Sequence, residues 1–362
     1  MLRGSLYREN RKPIGGEFSI ESFKNDESFE IWHSYLGQIT EMGSGRDALR
    51  ALLRMWPSRS IVFLSAFSCD AITSTLASLC EQDFHLIDID SNMYPNISTF
   101  HEEIVKFGDR AIILVGNLYG TKYPDDFVSF VNEVHSRGIP VIEDRTHNID
   151  LGATIRSDAW FASARKWIPA PGLGVYSTAR PCSIRARRFS SRLFYRYIAM
   201  RILGYVLFFP FMRNKLVSFL RNSDSRLGSG KKLIGKAYFG STIIDAKQFL
   251  TFLDIRRRNA KILTAYLDTI SQIEILNSSV STSSFSLTFK CLDHRDELRE
   301  FLRNRSIFAA ILWPVPESYN LLYPNAFSLS KSTLTIPLDQ RYSIEDAIFV
   351  AKSIKEFYDS LT

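Results

Sequence analysis

Between about residues 44 and 180, short apolar runs alternate with helix-patterned stretches, a rhythm that few folds accept. Ile61–Ser65, His85–Asp90, Ala111–Val115 and Ile139–Ile142 read as strands covered on both faces. Between them fall helices: one opened by Ser44-Gly45-Arg46-Asp47-Ala48-Leu49 and running to about Trp56, one through Thr75 to about Glu81, and one from Pro124 to Arg137. Strands that alternate with helices imply an α/β domain with a mostly parallel sheet, because parallel neighbours need a crossover between them.

The 362 residues, 45% hydrophobic, suffice for one large domain and a smaller one. The pattern divides into an N-terminal arm (1–43), the large α/β domain (44–182), a basic and apolar helical insertion with its connection (183–244), and a long helix leading into a small C-terminal α+β domain (245–362). Ile273–Leu276, Phe285–Phe289 and Ile307–Leu312 are its expected strands. Tyr342–Leu361 is its last helix, with Ser343 and Asp346 as a capping box. Cys69, Cys80, Cys182 and Cys291 lack metal spacing and suit a reducing cytoplasm. The first residues lack the apolar core of a secretory signal. A net charge of +7 favours anionic ligands without choosing among them. In the insertion, Arg185, Arg188, Arg192 and Arg196 share one helical face by spacing. That face is expected to back onto an apolar side covered by protein, with a peripheral membrane surface as the alternative.

Two residues carry chemistry. Asp144 closes a strand, so its carboxylate sits at the carboxyl edge, where open α/β sheets bind ligands. Lys166 follows a second run, Asp158–Ala162, and precedes the loop Pro169–Gly174. An acid and an amine at neighbouring strand ends are what pyridoxal 5'-phosphate (PLP) requires: the lysine forms a Schiff base, and the aspartate keeps the pyridine nitrogen protonated. A strand-end acid and a surface lysine also occur as an ordinary salt bridge, so the surrounding sequence has to decide. No dinucleotide fingerprint, phosphate loop, HExxH helix or GxSxG elbow competes, and no recognition motif supports nucleic-acid binding.

Further strings resemble one family in order. Ser44–Leu49 is similar to its SGTAAL turn, His85–Asp90 to its VFVDID strand, and Asn117-Leu118-Tyr119-Gly120 to its HLYG. Pro140–His147 is similar to PVIEDAAQ, and Leu334-Thr335-Ile336-Pro337-Leu338 to the LSLPL before its last helix. The chain thus resembles the DegT/DnrJ/EryC1/StrS family of PLP-dependent sugar aminotransferases over about residues 40 to 350. The resemblance implies the PLP-dependent transferase fold type I, with a large mostly parallel mixed sheet flanked by helices. It also implies a cytoplasmic homodimer with shared active sites, acting on a nucleotide sugar and an amino donor.

Residue by residue, the resemblance puts Lys166 at the Schiff-base position and Asp144 at the ring nitrogen. It puts Gly45 and Arg46 at the helix start that takes the cofactor phosphate, Ser163 beside that phosphate, and His147 in place of a glutamine near the ring hydroxyl. The ring-stacking aromatic of the family is replaced: Cys69 holds its position, with Phe67 as the substitute if the turn shifts. Phe161 stands where a serine is usual. The loop that reaches the partner's site has no clear copy, and Ser241 marks its nearest equivalent. These departures keep open another PLP-dependent reaction on the same fold, or a non-catalytic binding or regulatory relative. The dehydrating relatives carry histidine in place of the lysine, so Lys166 speaks against them.

Overall fold

The structure, a computed structural model, describes residues 13–15, 18 and 38–361, except 59, 81, 150–154, 181–185, 187–189, 206–209, 236–245, 278–285 and 338. The larger sheet has seven strands: β1 (Thr40–Met42), β2 (Ile61–Ser65), β3 (Asp83–Ile87), β4 (Ala111–Gly116), β5 (Val141–Asp144), β6 (Ala159–Ala162) and β7 (Gly174–Thr178). Their spatial order is β1-β7-β6-β5-β4-β2-β3. The five from β3 to β6 run parallel; β7 joins β6 antiparallel, and β1 pairs antiparallel with β7 at that edge. The sheet is mixed and mostly parallel, as the alternating pattern implies.

Side chains of each strand alternate between two helical layers, which explains why the runs are apolar throughout. Phe63, Ile113 and Val141 meet α3 (Ile97–Phe107) and α4 (Asp125–Ser136) on one face. Val62, Ile112 and Ile142 meet α1 (Gly45–Leu53) and α2 (Asp70–Leu79) on the other. The chain steps outward from β2 to β3, then returns to the opposite side of β2 with β4. That reversal leaves a crevice at the carboxyl edge, where parallel strands place their ends together.

The insertion forms two helices, α5 (Ser191–Tyr205) and α6 (Pro210–Ser225). Of the four arginines expected to share one helical face, Arg196 is the one seen to turn inward. Arg185 and Arg188 lie outside the described residues, and Arg192 donates to the carbonyl of Arg226. Arg196 is fully buried, its Nε donating to the carbonyl of Pro171 at 2.7 Å and its Nη1 to that of Leu220 at 2.5 Å. Spacing alone could not foresee this, because the buried carbonyls that attract the guanidinium belong to distant segments. Ala199, Met200, Leu203 and Leu220 form the hairpin's own core. Tyr195, Ile198, Ile202, Phe211 and Phe219 remain exposed on the chain.

Beyond it, α7 (Ala246–Leu267), α8 (Arg295–Asn304) and α11 (Ile344–Asp359) pack on a three-stranded sheet of β8 (Ile273–Ile275), β9 (Ser286–Cys291) and β10 (Thr333–Pro337). The short helices α9 (Tyr319–Leu322) and α10 (Pro324–Ser332) precede β10. Ser343 and Asp346 cap α11 reciprocally, as expected. The strand expected over Ile307–Leu312 is absent: this segment makes only isolated bridges, Ile14 to Ile307 and Ala310 to Thr335. Ser306 and Trp313 at its ends have positive φ (59° and 55°), which breaks the extended run. Among the described residues no helix is long and apolar enough to cross a membrane.

Candidate active site

A cavity of about 410 Å³ opens at the carboxyl edge of the large sheet. It collects Gly45, Arg46, Cys69, Asp144, His147, Ser163 and Lys166 on one surface. They come from four separate segments, each following a strand or opening a helix. Phe67 does not border it; that ring is buried behind, edge-on to Trp313 at 5.3 Å. Cys69 does border it, at the start of α2. Ser241 lies outside the described residues.

Asp144 ends β5 and receives the backbone N–H of Thr146 on Oδ1 at 2.9 Å. Its neighbour Glu143 points to the other face of the sheet, paired with Arg145 at 2.7 Å. Burial raises the Asp144 pKa, opposed by hydrogen bonding from Thr146 and the charge of Lys166. The carboxylate is therefore poorly compensated by the chain itself and would be stabilised by a cationic partner.

Lys166 ends a single 3₁₀ turn after β6, and its Nζ lies 3.4 Å from Nε2 of His147. Burial, then the charge of Lys166, holds the His147 pKa well below the ordinary value, so the imidazole beside the amine is kept neutral. Trp313 lies against the imidazole with ring centres 5.0 Å apart, and its other neighbour Tyr119 stacks on it at 5.1 Å. Trp313 and Phe161 are the aromatic side chains on the cavity wall.

The first turn of α1 forms the third wall. The N–H of Asp47 bonds to Ser44 Oγ and that of Ala48 to the Ser44 carbonyl, which leaves the two earlier amides, of Gly45 and Arg46, at the positive end of the helix. A Cβ at Gly45 would stand 3.0 Å from Cβ of Ser163, so glycine keeps this corner open. Gly174 has a similar cause: a Cβ there would collide with the Ser44 carbonyl. The guanidinium of Arg46 is committed elsewhere. It donates to the carbonyls of Asp224, Ser225 and Leu227 at 3.1, 3.1 and 2.6 Å, capping α6. Its contribution at the cavity is thus its backbone amide.

Several wall residues carried no signal in the sequence. Trp313 is remote in the chain and reaches the site only through the left-handed turn after Ile311-Leu312. Asn117 and Thr146, by contrast, lie inside strings the sequence offered, Asn117–Gly120 and Pro140–His147, without having been singled out there. Arg221 and Asp224 belong to the insertion, and Asp224 anchors Arg165, next to Lys166, at 2.6 Å. The arginine-rich composition of the insertion was the available hint, without saying which residue would arrive.

The donor set fits a phosphorylated pyridine aldehyde: an amine for the aldehyde carbon, a carboxylate needing a cation, and helix amides with open space for a phosphate. No protein-family model matches the sequence, and no curated protein does. Solved structures do match. A DegT DnrJ EryC1 StrS aminotransferase from Brucella abortus is 17% identical, with a TM-score of 0.60 over 91% of this chain and 88% of that one. DesI, in the presence of its TDP-sugar product, is 14% identical, with a TM-score of 0.62 over 91% and 83%. NtdA from Bacillus subtilis, with bound cofactor PMP, is 14% identical, with a TM-score of 0.61 over 91% and 76%. At this level of identity the likeness speaks for the backbone, and the chain has the fold that these aminotransferase structures share.

Proposed function

We propose that this chain is a PLP-dependent aminotransferase of the DegT/DnrJ/EryC1/StrS kind. It would move an amino group, from glutamate, to the keto carbon of a nucleotide-linked sugar destined for a surface polysaccharide or secondary metabolite. The observation that carries this reading is the placement of Lys166, Asp144 and the amide end of α1 on three walls of one cavity. Its likeness in fold to DesI and NtdA supports the substrate class and the cofactor.

Bound PLP supplies an electron sink for the charge developing at the amino-bearing carbon. The amides of Gly45 and Arg46, with the Ser163 hydroxyl, would bind its phosphate. Asp144 would hold a proton on the ring nitrogen, a cation that would relieve the cost of the buried carboxylate. Lys166 is the amine that would hold the aldehyde carbon, and the same amine would take and return the proton at the substrate carbon. Neutral His147 stands against Nζ of Lys166 without adding a competing positive charge. Trp313 covers His147 and limits water at this end.

The same reading includes a homodimer that shares its active sites and works in the cytoplasm. The exposed Tyr195, Ile198 and Ile202 on α5 support a second copy covering them, and the thiols of Cys69 and Cys291 suit a reducing compartment. The deciding experiment is the absorbance spectrum of the purified protein with PLP, before and after glutamate. A lysine-bound chromophore that changes on adding glutamate is expected; absence of any chromophore removes the enzymatic reading.

A further inference from the structure

We propose that Trp167 is a positioning residue that holds the turn carrying Lys166 between the Asp144 turn on one side and α7 with the segment after β10 on the other. The inference rests on the proposed function for what the amine does, and it names what sets the amine's place.

Lys166 closes a single 3₁₀ turn, Ala164–Lys166. One such turn has little stability of its own, so its place depends on bonds to other segments. The residues around Lys166 supply them. The Ser163 amide donates to Thr146 Oγ1 at 3.0 Å, and the Arg165 amide to the Leu173 carbonyl at 3.2 Å. The indole Nε1 of Trp167 donates to the Thr146 carbonyl at 2.8 Å. Thr146 gives its own amide to Asp144 Oδ1 at 2.9 Å. Thr146 thus joins acid and amine: its amide meets Asp144, its hydroxyl the start of the lysine turn, and its carbonyl the end. Among these links, the indole bond comes from the residue that directly follows Lys166.

The far side of Trp167 is held by residues remote in the chain. Its carbonyl accepts from Gln340 Nε2 at 2.9 Å and from Arg256 Nη2 at 3.4 Å. Arg256 also donates from Nη2 to Gln340 Oε1 at 2.9 Å, and its Cζ stands 4.7 Å from the centre of the Trp167 ring. Phe249 packs edge-on to the indole at 6.4 Å. Arg256 is buried on α7, and burial lowers its pKa to about 10 against the opposing charge of Asp339. An apolar side chain would fill this space without the cost of burying a cation. The guanidinium instead offers Trp167 a hydrogen bond and a cationic face. The amine's position is therefore fixed from both sides, and a loosened turn lowers its effective concentration at the carbon it has to meet.

The test compares the binding of PLP and of pyridoxamine 5'-phosphate (PMP) to the whole chain by calorimetry, in the native protein, Trp167→Phe and Gln340→Leu. PLP affinity depends on where the amine stands; PMP, which already carries an amine at that carbon, calls on the phosphate cradle and Asp144 alone. Trp167→Phe keeps an apolar ring and removes the indole donor, so PLP binding should weaken about tenfold or more, and about threefold in Gln340→Leu. PMP binding should stay within about twofold in both. Equal losses of PLP and PMP affinity would mean that Trp167 merely supports the fold, and unchanged PLP affinity in both variants would also overturn its role; either result leaves the cofactor reading standing. Failure of the native protein to bind PLP or PMP would remove that reading and this inference with it. Gln340 is only half-buried, so its variant keeps the test decisive should Trp167→Phe fail to fold, which thermal unfolding reports.

Discussion

Nζ of Lys166 lies 3.4 Å from Nε2 of His147, so the amine at the centre of the site rests against an imidazole that burial keeps neutral. A charged imidazole there would repel the ammonium. A neutral one does not.

Replacing Lys166 by alanine should abolish covalent attachment of PLP, since no other lysine among the described residues borders the cavity. Borohydride reduction followed by peptide mapping checks this. A modified peptide from another segment would mean that a different amine does the work.

Asp144→Asn should leave PLP bound through the phosphate cradle and the lysine, yet slow turnover by about a hundredfold or more, the scale of losing one preorganised electrostatic partner. The loss belongs in kcat under saturating substrate. Turnover close to that of the native enzyme would detach Asp144 from the ring nitrogen.

The pH dependence has a definite sign. The folded pKa of His147 lies below its unfolded value, so on acidification the unfolded chain takes up the proton first. His147 therefore destabilises the fold as pH drops through the unfolded histidine range, by at most about 1.4 kcal/mol per pH unit. The melting temperature of the native protein should fall more steeply from pH 7.5 to 5.5 than that of His147→Gln. Superimposable profiles would show that another group dominates.

Arg196→Met keeps the length of a buried side chain while removing donors to the carbonyls of Pro171 and Leu220. Each carbonyl left unsatisfied costs about 1–3 kcal/mol. Urea unfolding should register a loss of at least about 2 kcal/mol, and because Pro171 lies in the loop after Lys166, PLP affinity should weaken as well. An unchanged midpoint would show that water or neighbours satisfy both carbonyls.

The exposed Tyr195, Ile198 and Ile202 are predicted to be covered by a second copy. Ile198→Asp should shift the protein from dimer to monomer in light scattering. Co-sedimentation with anionic vesicles that weakens steeply with salt would instead place this face on a membrane surface.

Much of this was legible before any coordinates. The alternating apolar runs determined the parallel sheet, because only strands covered on both faces tolerate that composition. The end of such a strand determined that Asp144 would stand at the binding edge, and the spacing of Lys166 after the next strand brought it alongside. The capping box at Ser343 and Asp346 is local and was equally plain. What local pattern cannot encode is which distant atom a side chain will meet. Arg46 stood at a helix start whose backbone amides were expected to face a phosphate, and only the fold shows that its guanidinium is drawn to the carbonyl end of α6. Arg196 looked like one of four on a shared helical face, but carbonyls from two remote segments hold it in the interior. Ile307–Leu312 had the composition of a strand, yet β10 pairs along β9 while left-handed turns confine this segment to isolated bridges. Trp313 entered the site, and Arg221 reached two cavities at once, through chain crossings that exist only after collapse. Periodicity reports which face is buried; long-range hydrogen bonding and packing decide against what, and that choice exists only in three dimensions.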